Sequence, residues 1–142
     1  MLLLPTRLIL IASTYLVQGY NKRIKITAPS IAQKCNVNHR ALMPALRRLT
    51  QVVILRSQVG GNNPGFILTK DPSQITVFEV IDALENNLYM PSCREISEDL
   101  NCKMDNCSGC LIYNLVNRNI SNTIRELKNT TLQDLYLSRV KE

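Results

Sequence analysis

The stretch from residue 27 to residue 69 constrains the fold most. It reads TAPSIAQKC, NVN and HRALMPALRRLT, then VVILRSQ, VGGNNPG and FILT. In the first piece, Thr27 or Ala28 precedes Pro29, a residue tolerated in a first helical turn. Asn38 is a good N-cap for the third piece, whose side-chain oxygen can accept a bond from an early helical N–H. Two short helices joined by a tight polar turn are expected, which is the pattern of a helix-turn-helix. The β-branched run after it, a Gly/Asn/Pro turn and a returning FILT predict a two-stranded hairpin.

The flanks extend this frame. PTRLILIASTYLVQG places Leu8, Ile9, Ile11, Ala12, Tyr15 and Leu16 at helical spacing, with Gly19 as its expected end. ITVFEVIDALENN starts with Thr76 and has Glu79 three residues on, the sequence of a capping box. Leu111, Ile112, Leu115, Val116, Ile120, Ile124 and Leu127 form a long apolar stripe, mostly at spacings of three and four. A short helix is expected around TLQDLYL. The opening MLLLPTRLILIA lacks a basic n-region and is broken by Pro5 and Arg7, so it reads as a first core helix rather than a targeting signal. No stretch approaches the ~18 apolar residues that span a bilayer. The fold class expected is mostly α with a small β-hairpin. The boundaries fall at 1–86, 87–110 and 111–142.

Helix, helix-turn-helix and hairpin, in that order, describe a winged-helix DNA-binding domain whose second motif helix enters the major groove. Charge agrees. Residues 1–80 carry ten Lys and Arg against Asp71 and Glu79, a net of +8, while residues 81–142 carry a net of −2. A basic front half suggests a polyanion, nucleic acid first. The candidate contacts on the helix are Asn38, His39, Arg40, Arg47 and Arg48. On the wing they are Arg56, Gln58, Gly60, Gly61 and Asn62. Asn, Gln and Arg can pair with base edges, and the Arg fork also binds phosphate. Pro44 falls within the proposed recognition helix and should kink it, or else marks an error in its boundary.

Four of the five cysteines lie in CREISEDLNCKMDNCSGC, spaced C-x8-C-x4-C-x2-C as Cys93, Cys102, Cys107 and Cys110. A chain with 45% apolar residues can build a core without staples, and an odd cysteine count leaves one unpaired, so a disulfide framework is not needed. Thiolates select zinc, copper(I) or iron–sulfur clusters, and four satisfy the ligand count of a Cys₄ zinc site and a Cys₄ cluster alike. Only Cys107 and Cys110 make a CxxC pair, whereas structural zinc usually takes two. Cluster, zinc and bare thiols all stay open on spacing alone. Cys35, on the apparent core side of the second helix, reads as a small buried apolar residue.

IAQKCNVNHRALMPALRRLTQVVILRSQVGG and GGNNPGFILTKDPSQITVFEVIDALE together resemble the IscR/NsrR/RirA winged-helix transcription regulators of bacteria. The resemblance covers most of the chain. It implies that Cys93, Cys102 and Cys107 match the three family cysteines, with Cys110 where IscR has a histidine. It also implies that the helix after the cysteines dimerises, through Leu111, Leu115, Ile120, Ile124 and Leu127. The eight residues between Cys93 and Cys102 exceed the family's usual spacing, and ligation looks all-thiolate. The IscR-like place of the fourth ligand favours [2Fe–2S] over [4Fe–4S].

The expectation is a cytoplasmic homodimer that binds a pseudo-palindromic double-stranded operator and senses iron–sulfur, redox or nitric oxide status. One alternative is a winged-helix regulator with a zinc or bare thiol switch. Another is an iron–sulfur electron-transfer or scaffold protein without DNA binding, against which the wing and the basic front half argue. An enzyme is not expected: there is one histidine, no evident nucleophile–base pair, and GGNNPG is a turn rather than a phosphate loop.

Overall fold

The computed structural model describes residues 4–62, 64–85 and 110–140. In chain order these form α1 (Leu4–Lys22), α2 (Ala28–Cys35), α3 (His39–Gln51), β1 (Leu55–Gln58) and β2 (Gly65–Leu68). A 3₁₀ turn (Pro72–Gln74) leads to α4 (Val77–Leu84), and α5 (Leu111–Asn129) and α6 (Leu132–Arg139) follow.

Side-chain caps start α2, α3, α4 and α6. The Thr27 hydroxyl accepts from Ser30 N at 3.3 Å, and Asn38 Oδ1 accepts from Arg40 N at 3.0 Å. Thr76 accepts from Glu79 N at 3.1 Å, and Thr131 and Asp134 form a full reciprocal capping box on α6. Each such cap stabilises its helix by roughly 1 kcal/mol. Asn36, left-handed at φ 56°, closes α2 and makes the tight turn into α3.

Two boundaries differ from expectation. α1 runs through Gly19 to Lys22. Gly19 serves close approach rather than termination, since a Cβ there would lie 2.8 Å from Ile26 Cδ1 and 3.0 Å from Ile24 O. The first strand begins at Leu55, not Val52. Val52 caps α3 and Val53 takes φ 64°, so these two residues turn the chain before the strand can start.

The hairpin pairs Leu55 with Leu68, Arg56 with Ile67, Ser57 with Phe66 and Gln58 with Gly65, antiparallel. Ile26 adds a rung on the outer edge of β2. Its N–H donates to Phe66 O at 3.0 Å, and its carbonyl accepts from Phe66 N at 2.8 Å. The hairpin is thereby fixed to the α1–α2 turn.

One core joins the elements. Ile9, Ala12, Leu16 and Val17 of α1 meet Ile31 of α2 and Leu42, Leu46 and Leu49 of α3. Leu55 and Leu68 of the hairpin, Ile75, Val80 and Leu132 complete it. Each large side chain buried here stabilises the fold by about 1.5–3 kcal/mol. The buried hydroxyls of Ser13 and Thr14 donate back to Leu10 O and Ile11 O, so they enter the core satisfied.

The C-terminal helix is part of this frame. α6 packs along α1, and Leu132 is fully buried. Thr76 and Thr131 pair as an isolated antiparallel bridge. Val77 N donates to Thr130 O at 2.8 Å, and Leu132 N donates to Ile75 O at 2.9 Å. The starts of α4 and α6 are thus stitched side by side. α4 also packs along α5, where the Lys128 ammonium sits 4.8 Å from the centroid of Phe78. Among the described residues, no helix is long and apolar enough to cross a membrane.

Candidate nucleic-acid interface and cysteine site

α3 is amphipathic in the way a recognition helix requires. Leu42, Ala45, Leu46 and Leu49 are buried, while Arg40, Pro44, Arg47 and Gln51 line an exposed stripe. Pro44 does not break the helix, which runs from His39 to Gln51 without interruption. The bond it removes is the one to the Arg40 carbonyl, and both residues lie on the exposed stripe, where water can take the lost partner's place.

The expected α3 contacts are all exposed, but they are not equivalent. His39, Arg40 and Arg47 stand on the surface. Asn38 is also exposed, yet its Oδ1 is occupied in capping, which leaves its NH₂ as the available donor. Arg48 turns the other way: its Nε donates to Ala83 O at 2.9 Å. That carbonyl belongs to the last turn of α4, where carbonyls have no intrahelical partner. Arg48 therefore ties α3 to the end of α4. The partners are 35 residues apart, so no local pattern could have announced the tie.

The wing presents Arg56, Gln58, Gly60, Gly61 and Asn62, all exposed. Gly60 and Gly61 take φ of 74° and 75°, the left-handed conformation the tip requires. Val59, beside them, is 97% exposed. Between the wing and α3 lies a cleft of about 510 Å³, lined by Met43, Arg47, Gln51, Gln58 and Phe66 among others. Helix stripe, cleft and wing are continuous, so α3 and the wing can address one duplex together. The Lys25 ammonium donates to Gln58 Oε1, a contact across 33 residues that sequence reasoning missed.

Cys93, Cys102 and Cys107 lie outside the described residues. Cys110 is half-buried at the N-cap of α5; its carbonyl accepts from Asn114 N at 3.0 Å, but its thiol makes no capping bond. Cys110 and Cys35 are both free thiols. A helix N-terminus favours negative charge, which suits a thiolate-bound centre at Cys110. Among the described residues, no three His, Cys, Asp or Glu side chains gather as metal ligands. Cys35 packs against the core; burial pushes its thiol up, and nearby Arg139 opposes the shift. On α5, Leu111 is 77% and Leu115 57% exposed, while Ile120, Ile124 and Leu127 are half-buried.

Comparison with known proteins agrees with this geometry. The fold matches T. potens IscR with a TM-score of 0.67 and 16% identity, covering 100% of this chain and 93% of that one. It matches the global cysteine regulator CymR (YrzC) of B. subtilis with a TM-score of 0.71 and 19% identity, over 99% and 98% of the two chains. In sequence, the chain is 31% identical over 113 residues to Protein aau3 of Rhizobium meliloti (strain 1021), covering 78% of this chain and 70% of that protein. The family model described as "Rrf2: Iron-dependent Transcriptional regulator" matches residues 6–138, and the chain belongs to the Rrf2 family of winged-helix transcription regulators.

Proposed function

We propose that this chain is a cytoplasmic homodimeric regulator. It binds a pseudo-palindromic operator and reports iron–sulfur, redox or nitric oxide status through a cluster held by Cys93, Cys102, Cys107 and Cys110. The observation that carries this reading is the position of Cys110, which is both the fourth thiol of the cysteine segment and the N-cap of α5. The exposed Leu111 and Leu115 follow it directly, and an uncovered apolar helix face favours a partner helix. A symmetry mate on that face would set two α3 helices one turn of DNA apart.

The residues divide the work. Arg47, Arg40 and His39, with Arg56, Gln58 and Asn62 of the wing, meet the duplex, and Gly60 and Gly61 let the wing tip approach it closely. Arg48 holds α3 against α4. When bound, the cluster supplies a centre that oxidants or nitric oxide can alter. A change in how Cys110 is held acts on the first turn of α5, and hence on the spacing of the two DNA-reading helices. A [2Fe–2S] centre is the form favoured.

Anaerobic purification followed by a visible spectrum and iron, sulfide and zinc analysis tests the cofactor. Colour with iron and sulfide supports the reading; a colourless zinc protein replaces it with a zinc regulator. Gel shifts on the upstream DNA then compare loaded and stripped protein. Equal affinity in the two states refutes the sensing mechanism. Cys110→Ala is expected to lose the visible absorbance, and a fully stable cluster in that variant removes Cys110 as a ligand.

A further inference from the structure

The contacts assigned so far lie on α3 and the wing. A second cationic surface lies beside them. The turn from α1 to α2 encloses a cavity of about 210 Å³ lined by Lys22, Lys25 and Lys34 together with Thr27 and Ser30. No carboxylate lines it. The surrounding chain cannot easily supply one, because the first 70 residues hold ten Lys and Arg and no Asp or Glu.

Position gives this cavity its meaning. Thr27 lines both it and the cleft between α3 and the wing, so the two concavities adjoin. Lys25 reaches across to Gln58 of the wing, and an ammonium has two further N–H groups to offer after that bond. The Ile26–Phe66 rung fixes the turn to β2. Lys34 is steadied by Tyr15, whose ring centroid lies 5.4 Å from its ammonium. Ammonium groups are point-charge phosphate binders.

We propose that Lys22, Lys25 and Lys34 form a backbone-phosphate site. It grips the duplex beside the segment read by α3 and the wing. This rests on the DNA-binding reading above and adds a sequence-independent anchor to it.

Each phosphate contact contributes about 0.9 to the slope of log affinity against log salt. The test uses the full-length protein, fluorescence anisotropy over a series of potassium chloride concentrations, and two duplexes, its upstream DNA and an unrelated sequence. Lys22→Gln/Lys34→Gln is expected to reduce the slope by about 1.8 on both duplexes, with the thermal unfolding midpoint unchanged. Lys128→Gln, which removes a charge on α5 beside Phe78, is the control and is expected to leave the slope unchanged. Lys25→Gln is measured separately because it also frees Gln58.

An unchanged slope in the double variant overturns the proposal. So does an equal loss in the Lys128 control, which would reveal an effect of net charge alone. Protection against unfolding by inorganic phosphate, with slopes unchanged, identifies a free-anion site and overturns it as well. If the wild type binds neither duplex, the DNA-binding reading itself fails.

Discussion

Replacing Gly65 with alanine tests the joint between the wing and the rest of the domain. Gly65 takes φ 126°, a conformation that L side chains rarely adopt. Holding alanine there costs of order 1–3 kcal/mol. Its Cβ would also lie 2.7 Å from the Ile26 carbonyl carbon, 2.8 Å from Ile26 O and 3.0 Å from Thr27 N. All three are backbone atoms, so the Ile26–Thr27 peptide must move. The two hydrogen bonds joining Ile26 to Phe66, at 2.8 and 3.0 Å, would lengthen. Each contributes about 1 kcal/mol. Together these effects give a loss of about 3–5 kcal/mol, or roughly 10–15 °C in unfolding midpoint for a chain of this size. Circular dichroism melts would measure it. Gly60→Ala is the matched control: φ there is 74°, but nothing lies within 4 Å of the added Cβ. It should lose only about 1 kcal/mol. A Gly65→Ala midpoint within about 2 °C of wild type, or a Gly60→Ala loss as large, would refute the packing argument.

Arg48→Ala should weaken operator binding while leaving its salt slope unaltered, because Arg48 acts through α4; Arg47→Ala should lower the slope by about 0.9. Anisotropy at several salt concentrations separates the two, and a lowered slope for Arg48→Ala would make it a phosphate contact. Asp71 accepts hydrogen bonds from the Ser73 hydroxyl and N–H, which hold its carboxyl below the usual range. Its contribution to stability is present above the unfolded-state value near 3.9 and is lost as pH falls through the folded value. Asp71→Ala should therefore flatten the acid side of the stability–pH curve, and superimposable urea-unfolding curves for the two proteins across that range would contradict it.

What could be read ahead of the structure was what lies close along the chain. Asn38, Thr76 and the Gly/Asn/Pro turn act within a few residues of themselves, so their roles in capping and reversal were legible. The winged-helix order and the exposed character of the α3 and wing residues followed from these. The tie from Arg48 to Ala83 and the bond from Lys25 to Gln58 span 35 and 33 residues and leave no local trace. Gly19 was misread for the same reason: its lack of a side chain serves Ile26, which the turn after α1 brings back against the helix. Val52 and Val53 have strand chemistry, but the need to leave α3 and reverse direction overrides it. Of the four-cysteine set, only Cys110 falls among the described residues, and its place at the start of α5 fits the adjacency of Cys110 and Leu111 seen in the sequence.

The stitch between Thr76 and Thr131 has a consequence for how a chain like this can change. α5 is located at its far end, where Thr130 and Thr131 meet Val77 and Thr76, and along its flank by Lys128 on Phe78. These contacts anchor its C-terminal end, while its first turn begins at Cys110. Any displacement of that first turn therefore swings α5 about the bond from Val77 N to Thr130 O.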